Sequence, residues 1–434
     1  MPAIWDGPHY LIWDARNLRT LVFEVSSSDE QELCAPTKPL EEVEASRLPP
    51  PKWLTAVLVL TNRCNLGCTY CYAEANRHSK ANGAEGMTCQ QVETILGGCL
   101  QRDIDRLYVS FLGGEPTLKP DCLKAAAQFL GEAGVPYSFH ITTNGICPDF
   151  LQDWLIDSGF DFTVSSDGIP TDHDSQRPTV GGRSSSQRVE RFIRRLADRG
   201  ALFQVRATLT RQNVRNLPLA IEYWASLGVR FVHFELVDLF GRARFDKSPP
   251  DLQHYIDNFP DVLETAQNLG VYLVNSAFMK LLTPGTKFCT STQGHRLHFN
   301  PDGSISSCYK VQRGFEGPAD FVMGAVTCGR FIMDEPRRES LAERGADYFV
   351  ECQLCFARSV CGGGCPLHHQ LHAPTGHVDT KLCEVKRSLL RQAILQIHDC
   401  SIEGQASVLF GSTVYDALVE QKFQSQSKQR RSQL

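Results

Sequence analysis

The run Thr61-Asn62-Arg63-Cys64-Asn65-Leu66-Gly67-Cys68-Thr69-Tyr70-Cys71-Tyr72 has a C-x3-C-x2-C spacing and directly follows the apolar, strand-like residues 53–60. Three thiolates on one loop can bind three irons of a cubane iron–sulfur cluster, and the lack of a fourth cysteine leaves the last iron open to a small molecule. Zinc, which prefers four protein ligands in a structural site, and buried structural thiols are the competing interpretations. The spacing favours a cluster with one open iron.

The composition predicts a globular protein large enough for two or three domains, because the chain has 434 residues, of which 42% are hydrophobic and 21% charged. A net charge of -5 gives no electrostatic support for binding nucleic acid or a membrane surface. The amino-terminal residues lack the basic and apolar blocks of a signal peptide, and apolar runs such as 54–60 are too short to span a bilayer. We therefore expect a cytoplasmic protein, in which 17 clustered cysteines favour metal ligation over disulfides.

Strand-like and helix-like segments alternate from residue 53 to about residue 236. The predicted strands are 54–60, 106–112, 137–142, 161–165, 203–209 and 230–236. The first helix between them opens with a capping box at Thr88 and Gln91. Six strand-then-helix units with right-handed crossovers predict an α/β fold, in which a parallel sheet curls into a partial (β/α)6, TIM-like barrel. The ligand site is expected at the carboxyl ends of the strands, where the connecting loops converge.

Polar and glycine-rich turns follow three of these strands at the same predicted rim. They are Gly113-Gly114-Glu115-Pro116, Thr143-Asn144-Gly145 and Ser165-Ser166-Asp167-Gly168. Each alone is typical of an ordinary tight turn, for which glycine supplies the backbone freedom. Their shared location beside the cysteine loop favours a ligand site.

The cysteine spacing, the preceding strand and Tyr70 resemble the radical S-adenosylmethionine (radical SAM) family, in which SAM chelates the open iron and is cleaved to a 5′-deoxyadenosyl radical. The resemblance implies that Cys64, Cys68 and Cys71 hold this cluster. It also implies a set of SAM-binding residues, namely Tyr70, Gly113, Gly114, Glu115, Asn144, Ser165, Asp167, Arg191 and Arg206. Glu115 and the two glycines would meet the SAM ammonium, and Ser165 its carboxylate or ribose. The alternative for Arg191 is a position on a solvated helix face. The alternative for Arg206 is a salt pair at the edge of the core.

A second cysteine array follows the predicted barrel. It consists of Cys289, Gly303-x4-Cys308, Cys352-x2-Cys355-x5-Cys361-x3-Cys365 and Cys383. Zinc ribbons also contain C-x2-C pairs, but this order resembles the SPASM domain, which carries auxiliary clusters. The resemblance implies a distal cluster held by Cys352, Cys355, Cys361 and Cys383, and a proximal one held by Cys289, Cys308 and Cys365. Together with the first cluster this gives three [4Fe–4S] clusters.

Some proteins with a SPASM domain have an eighth cysteine a few residues before the position of Cys289. Residues 276–288 of this chain contain no cysteine, so the proximal cluster has only three cysteine ligands. An open iron there could bind a substrate thiolate or a non-cysteine ligand. His295 and His298 are nearby candidates, although surface histidines are the competing interpretation. The histidines at 368, 369, 372 and 377 are expected on a solvated loop.

Radical SAM proteins with a SPASM domain mostly modify peptides or proteins. Sulfatase-maturing members carry an aspartate that acts as a base just after the cysteine that corresponds to Cys308, whereas this chain has Tyr309. The departure favours a thioether or C–C crosslink in a precursor peptide over formylglycine formation, with Tyr309 as a candidate catalytic residue. An electron carrier or a zinc-stabilised binding module without catalysis is the alternative from another class.

The implied partners are a precursor peptide or protein, a low-potential electron donor such as flavodoxin or ferredoxin, and a separate leader-recognition protein. Residues 1–45 are too short for a usual winged-helix recognition domain, so leader binding is expected to use either a separate protein or a reduced element within these residues. We expect four regions. They are a small β element with a Pro-rich linker (1–50, with strands at 9–13 and 20–25), the barrel (51–270), the SPASM domain (271–390), and a helix with a disordered polar tail (391–434).

Overall fold

The computed structural model describes a defined part of the chain: residues 3–6, 9–14, 19–24, 52–76, 86–245, 249–281, 284–312, 318–399, 418–419 and 421–422. For the three amino-terminal segments it describes the backbone. The predicted linker, Cys34, Cys400 and most of the polar tail lie outside the described residues.

Six parallel strands form the centre of the molecule, and each lies where the sequence predicts one. Their bounds are β4 (Trp53–Val59), β5 (Arg106–Leu112), β6 (Tyr137–Thr143), β7 (Asp161–Ser165), β8 (Phe203–Leu209) and β9 (Phe231–Leu236). Strands β5, β6 and β8 alternate buried and less buried side chains, as expected for strands whose two faces differ in packing. Neighbours pair in parallel in the order β4-β5-β6-β7-β8-β9, which confirms the predicted α/β sheet.

Helices cross from each strand to the next. The α-helices are α1 (Cys89–Leu100), α2 (Pro120–Gly131), α3 (Asp149–Asp157), α4 (Pro170–Gln176), α5 (Ser186–Asp198), α6 (Leu217–Ser226), α7 (Leu252–Asp257), α8 (Phe259–Asn268), α9 (Glu335–Glu343), α10 (Arg358–Cys361), α11 (Pro366–His372) and α12 (Thr380–Asp399). The capping box predicted at Thr88 and Gln91 is present at the start of α1. That helix buries Val92, Ile95 and Leu96 in the core.

The sheet extends beyond the six predicted strands at both edges. β10 (Tyr272–Val274) pairs in parallel with β9, and β11 (Arg296–Phe299) pairs in parallel with β4. β12 (Ser304–Ser306), β13 (Val322–Thr327) and β14 (Arg330–Met333) continue from β11 as an antiparallel meander. Since β4 and β9 each pair with another strand at their outer edges, the described sheet is open, as a partial barrel requires.

The ends of the chain add two elements. β1 (Ala3–Asp6), β2 (His9–Asp14) and β3 (Arg19–Glu24) form a separate antiparallel sheet, in which β1 was not predicted. Residues 421–422 are helical, and the Lys422 ammonium pairs with the Asp161 carboxylate. The expectation of a disordered tail is therefore wrong for these two residues. Within the described residues, no helix combines the length and apolarity needed to cross a membrane.

Candidate active site

The cysteine loop (residues 64–71) leaves the carboxyl end of β4 and is fixed from one side by the segment after α4. Gly67 N–H donates to the Pro178 carbonyl at 2.7 Å, and Leu66 forms an antiparallel bridge with Thr179. Cys64 lies close enough to the other two cysteines for their charges to raise its pKa, after the larger effect of burial. The three thiols therefore share one small volume at the predicted rim.

Asn76 and Arg242 hold the same loop from its other end. Cys64 N–H donates to Asn76 Oδ1, and Asn76 Nδ2 donates to the Cys64 carbonyl, both at 3.0 Å. The Arg242 guanidinium donates to the carbonyls of Cys68 at 2.9 Å and Ala75 at 2.6 Å. The sequence analysis missed both side chains, and no motif spacing pointed to Arg242, which lies on a short 3-10 helix after β9.

Gly113 and Gly114 allow the turn after β5 to pass directly beside the cysteine loop. A Cβ on Gly114 would lie 2.2 Å from the Arg63 carbonyl oxygen, and one on Gly113 would lie 2.5 Å from that of Thr61. Gly114 N–H donates to the Thr61 carbonyl at 2.7 Å. The backbone approach itself thus requires both glycines, whatever ligand the turn binds.

Glu115, the third residue of that turn, is buried and ties its own turn to the turn after β6. Its Oε1 accepts from Thr117 Oγ1 and Thr143 Oγ1, each at 2.7 Å, and its Oε2 accepts from Asn144 N–H at 2.8 Å. Burial raises the pKa of Glu115, and these hydrogen bonds oppose that effect. Asn144 continues the network, because its Nδ2 donates to Asn65 Oδ1 at 2.7 Å and lies 3.7 Å from Cys64 Sγ.

Tyr70 and Asp167 meet in a buried network that also contains Arg177, a residue the sequence analysis missed. Tyr70 donates its phenolic hydrogen bond to Asp167 Oδ2. Arg177 forms a bidentate pair with Asp167, with Nε to Oδ2 at 2.9 Å and Nη2 to Oδ1 at 3.0 Å, and its guanidinium lies 5.3 Å from the Tyr70 ring centre. The network joins the cysteine loop to the turn after β7. Tyr70 and Asp167 thus position the loop, and direct SAM contact by either stays a prediction.

The other predicted SAM residues separate in space. Ser165 ends β7, pairs with Arg206 of β8 and is half-buried at the rim. Arg206 is hydrogen-bonded to Tyr309, and its pKa is raised by the nearby charges of Tyr309 and Glu235 despite burial. Arg191 is exposed on α5 and, within the described residues, forms no hydrogen bond or ion pair. Its position agrees with the solvated helix face that was the alternative.

The second cysteine array gathers into the two sets implied by the SPASM resemblance. Burial raises the pKa of Cys308 to about 12, with the charges of Cys365 and Cys289 adding to it. In the other set, burial and the charges of Cys383, Cys361 and Cys355 raise the pKa of Cys352 to about 12. None of the described cysteines forms a disulfide.

Three consecutive glycines, residues 362–364, link the two sets. All three have positive φ angles of 63°, 87° and 74°. A Cβ on Gly362 would lie 2.6 Å from the Lys287 carbonyl carbon, so this turn packs against the segment just before Cys289. The left-handed backbone of this turn, which joins Cys361 to Cys365, therefore requires glycine.

The donor sets fit iron–sulfur clusters. Burial and the charges of neighbouring cysteines raise the pKa of Cys64, Cys308 and Cys352, and only a bound cation offsets the cost of converting several buried thiols to thiolates in so small a volume. A single structural zinc would use four of these ligands, which leaves the sets of three unexplained. The cysteine loop and the Cys289, Cys308 and Cys365 set each present three thiols, and the Cys352 set presents four.

Tyr309 lies between the cysteine loop and the second array. Its ring centre is 5.2 Å from that of Tyr72 and 5.9 Å from that of His298. His298 is buried in β11, so the expectation of a surface histidine is wrong there. His295 packs on Trp53 at the amino end of β4, the end opposite the cysteine loop.

The histidines after Cys365 also depart from the prediction. Residues 368, 369 and 372 lie on α11, not on a solvated loop, and His369 is buried against Phe349. His368 and His372 both contact Asp238, which follows β9. His377 is exposed and pairs with Glu351, as expected for a surface histidine.

Comparison with known proteins identifies the domain. Residues 58–212 match the model of the radical SAM superfamily. The chain therefore carries a radical SAM domain, whose matched region begins just before the cysteine loop, and it is an enzyme.

Its relatives include peptide-modifying maturases. The chain is 24% identical to the PqqA peptide cyclase of Methylorubrum extorquens, over 76% of this chain and 84% of the relative. It is 21% identical to the cysteine-type anaerobic sulfatase-maturating enzyme of Clostridium novyi, over 78% of this chain and 94% of the relative.

Two groups of solved structures share the fold. anSMEcpe with bound AdoMet superposes with a TM-score of 0.64 at 16% identity, over 80% of this chain and all of that chain. Streptococcus suis SuiB bound to its precursor peptide SuiA superposes with a TM-score of 0.54 at 16% identity, over 76% of this chain and 75% of that chain. Both superpositions cover more than three quarters of this chain, well beyond the matched residues 58–212.

Proposed function

We propose that this enzyme is a peptide maturase that crosslinks a residue of a precursor peptide. The observation that carries the proposal is the position of Tyr309, which lies against Tyr72, the residue after the cysteine loop, and directly follows Cys308 of the second array. A substrate held at this contact is within reach of both metal sites. Relatives that modify peptides, such as the PqqA peptide cyclase, support the same class of substrate.

When bound at the cysteine loop, the cluster and SAM supply a 5′-deoxyadenosyl radical that abstracts a substrate hydrogen. The residues of the chain orient SAM and exclude water. We assign SAM binding to the rim around Glu115, Asn144 and Ser165. The hydrogen bonds of Glu115 and Asn144 hold the turns after β5 and β6 and the cysteine loop at fixed separation. We propose that Arg206 pairs with an anionic group of SAM or substrate, because its guanidinium lies beside Tyr309.

The second array accepts the surplus electron in this proposal. Formation of a thioether from a carbon radical and a thiol releases one proton and one electron, and formation of a C–C bond has the same balance. The two auxiliary clusters, held by Cys289, Cys308 and Cys365 and by the Cys352 set, provide the exit toward an external acceptor. A low-potential donor such as flavodoxin or ferredoxin supplies the electron that starts SAM cleavage.

Tyr309 is proposed to relay the proton released as the bond forms, with its hydroxyl accepting that proton while its own phenolic proton passes to solvent. Arg206 is hydrogen-bonded to it and fixes its orientation. Formylglycine formation is the second candidate, favoured by the similarity to the sulfatase-maturating enzyme of Clostridium novyi. Tyr309 in place of the aspartate of that family is the residue that opposes it.

Peptide binding is proposed at the amino-terminal sheet, because edge strands such as β1 and β3 offer backbone groups to an extended leader. A separate leader-recognition protein is the alternative. Deletion of residues 1–45 distinguishes the two: unchanged peptide turnover would exclude a role for this sheet.

Anaerobic reconstitution tests the proposed function. The enzyme should bind about twelve irons per chain and release 5′-deoxyadenosine from SAM under reductant. A Cys68→Ala variant should lose about four irons and all SAM cleavage, whereas Cys355→Ala should keep SAM cleavage and lose the crosslink. With a substrate peptide, the product should be lighter by two hydrogens. Zinc content without SAM cleavage would instead support the non-catalytic alternative.

A further inference from the structure

A cluster of metal-ligating side chains lies outside the cysteine sets, where the loop after β9 meets α11. Asp238 Oδ1 is 3.1 Å from His368 Nδ1 and 3.0 Å from His372 Nε2. The three ligand atoms lie within 4.8 Å of one another. We propose that Asp238, His368 and His372 form a binding site for a divalent transition metal, separate from the iron–sulfur clusters.

The helix presents the two imidazoles on one face. His368 and His372 are four residues apart on α11, so their side chains project from the same side of the helix, one turn apart. Their ring centres are 4.5 Å apart. Asp238 approaches from the opposite element, which gives a site with two nitrogen ligands, one oxygen ligand and further positions open.

Neighbouring groups orient the ligands in the manner of a metal site. His368 Nε2 lies 2.9 Å from Asp379 Oδ2, so the ring is held by a carboxylate on one side and its Nδ1 faces the site. Asp379 is itself fixed, because its Oδ1 accepts from Lys381 N–H at 3.0 Å. On the other ligand, the Lys310 ammonium pairs with Asp238 Oδ2 at 2.7 Å and leaves Oδ1 for the site.

The donor set defines the class of metal. Two imidazoles with one carboxylate suit Zn²⁺ or Fe²⁺, whereas Ca²⁺ and Mg²⁺ prefer oxygen ligands throughout. Lys310 offsets part of the negative charge of Asp238, so the two imidazoles determine which metal ion the site prefers. His372 is exposed and provides the side from which a metal enters.

A metal here would tie the barrel to the second cysteine array. Asp238 belongs to the loop between β9 and the 3-10 helix that carries Arg242, which holds the cysteine loop. Cys365 is the residue immediately before α11, and Lys310 lies two residues after Cys308. One ion would therefore fix the distance between the two metal-bearing regions, independently of the proposed reaction.

The test uses reconstituted enzyme that has been treated with a chelator to remove loosely bound metal and then equilibrated with Zn²⁺. After gel filtration, we expect one zinc per chain in addition to the cluster iron. His372→Ala should lose this zinc and keep the iron, and the exposed His377→Ala is the matched control that should keep both. Asp379→Asn should weaken zinc binding about 10- to 100-fold.

X-ray absorption at the zinc edge gives the identity of the ligands. The proposal requires nitrogen and oxygen scatterers with an imidazole signature and no sulfur. A sulfur shell would show zinc in a cysteine set, and equal zinc in the parent enzyme and in His372→Ala would place it elsewhere. Either result, or no bound zinc in the parent enzyme, overturns the site and shows that these groups form an ion-pair network alone.

Discussion

The rings of Tyr72 and Tyr309 pack edge to face, with centres 5.2 Å apart and planes at 72°. Each tyrosine is the residue immediately after a cysteine, Cys71 in the cysteine loop and Cys308 in the second array. This contact joins the residue after the cysteine loop to the second array. A substrate at this point would lie between the site where the radical forms and the site proposed to take the electron.

Tyr309→Phe should separate SAM cleavage from peptide modification. The ring contact with Tyr72 is retained, but the hydroxyl that we assign to proton transfer is lost, so crosslink formation should fall by about 100-fold or more. Release of 5′-deoxyadenosine should change by less than about tenfold, since the cysteine loop is untouched. Mass spectrometry of the peptide and chromatography of the nucleoside measure the two. Tyr72→Phe is the control, and equal effects of both substitutions would contradict a special role for the Tyr309 hydroxyl.

Asp167→Asn should destabilise the fold strongly. Asp167 is fully buried and forms a bidentate pair with Arg177, so its removal leaves a buried guanidinium without its counter-charge. The expected loss is about 3–5 kcal/mol of unfolding free energy, measured by denaturant titration. Asp153→Asn is the matched surface change, because Asp153 pairs with Arg195 at a more exposed position, and should cost under about 1 kcal/mol. Comparable losses of unfolding free energy in the two variants would show that the buried Asp167 pair contributes no more to stability than the exposed Asp153 pair.

Gly114→Ala should displace the cysteine loop. The added Cβ would lie 2.2 Å from the Arg63 carbonyl oxygen, so the backbone must shift at the point where the loop begins. The variant should bind about four irons fewer and fail to cleave SAM, while keeping the auxiliary clusters. Gly97→Ala in α1 is the control, since its Cβ meets only the Phe129 ring at 3.6 Å. Full iron content in Gly114→Ala would show that the loop tolerates the shift.

His173 should make stability fall on mild acidification. Burial lowers its pKa to about 4, below the value of about 6.5 in an unfolded chain. The unfolded chain therefore takes up a proton that the folded chain does not between these pH values, so the contribution of His173 is full above about pH 6.5 and declines as the pH falls toward 4. In the fold, its Nδ1 accepts from Asp167 N–H, and its Nε2 contacts Ser185 Oγ at 3.1 Å.

His173→Gln removes this titration. Relative to the variant, the parent enzyme should lose up to about 1.4 kcal/mol more unfolding free energy per pH unit in that range. Urea titrations at about pH 7.5 and about pH 5.5 measure the difference. Parallel pH dependence in the two proteins would show that His173 is already protonated in the fold or does not titrate on unfolding.

The amino-acid sequence by itself determined the six parallel strands and the arrangement of the cysteines. Alternating and continuous apolar runs bounded by turn residues are local signals, and they placed each strand of the partial barrel within a residue or two. The spacing of the cysteines is local as well, so the two arrays were recognisable before any contact was known. The short strands β10 to β14 were missed, because three to six residues beside cysteine-rich turns carry too little periodicity.

Only the tertiary structure decided which side chains meet. Tyr70 and Asp167 are 97 residues apart, and Asp238 and His368 are 130 residues apart, yet each pair is in contact. Such contacts depend on the crossovers that bring successive loops to one rim, which no local pattern encodes. For the same reason Arg177 and Arg242 could not be assigned in advance, and the aromatic contact between Tyr72 and Tyr309 emerged only when the two cysteine arrays were brought together.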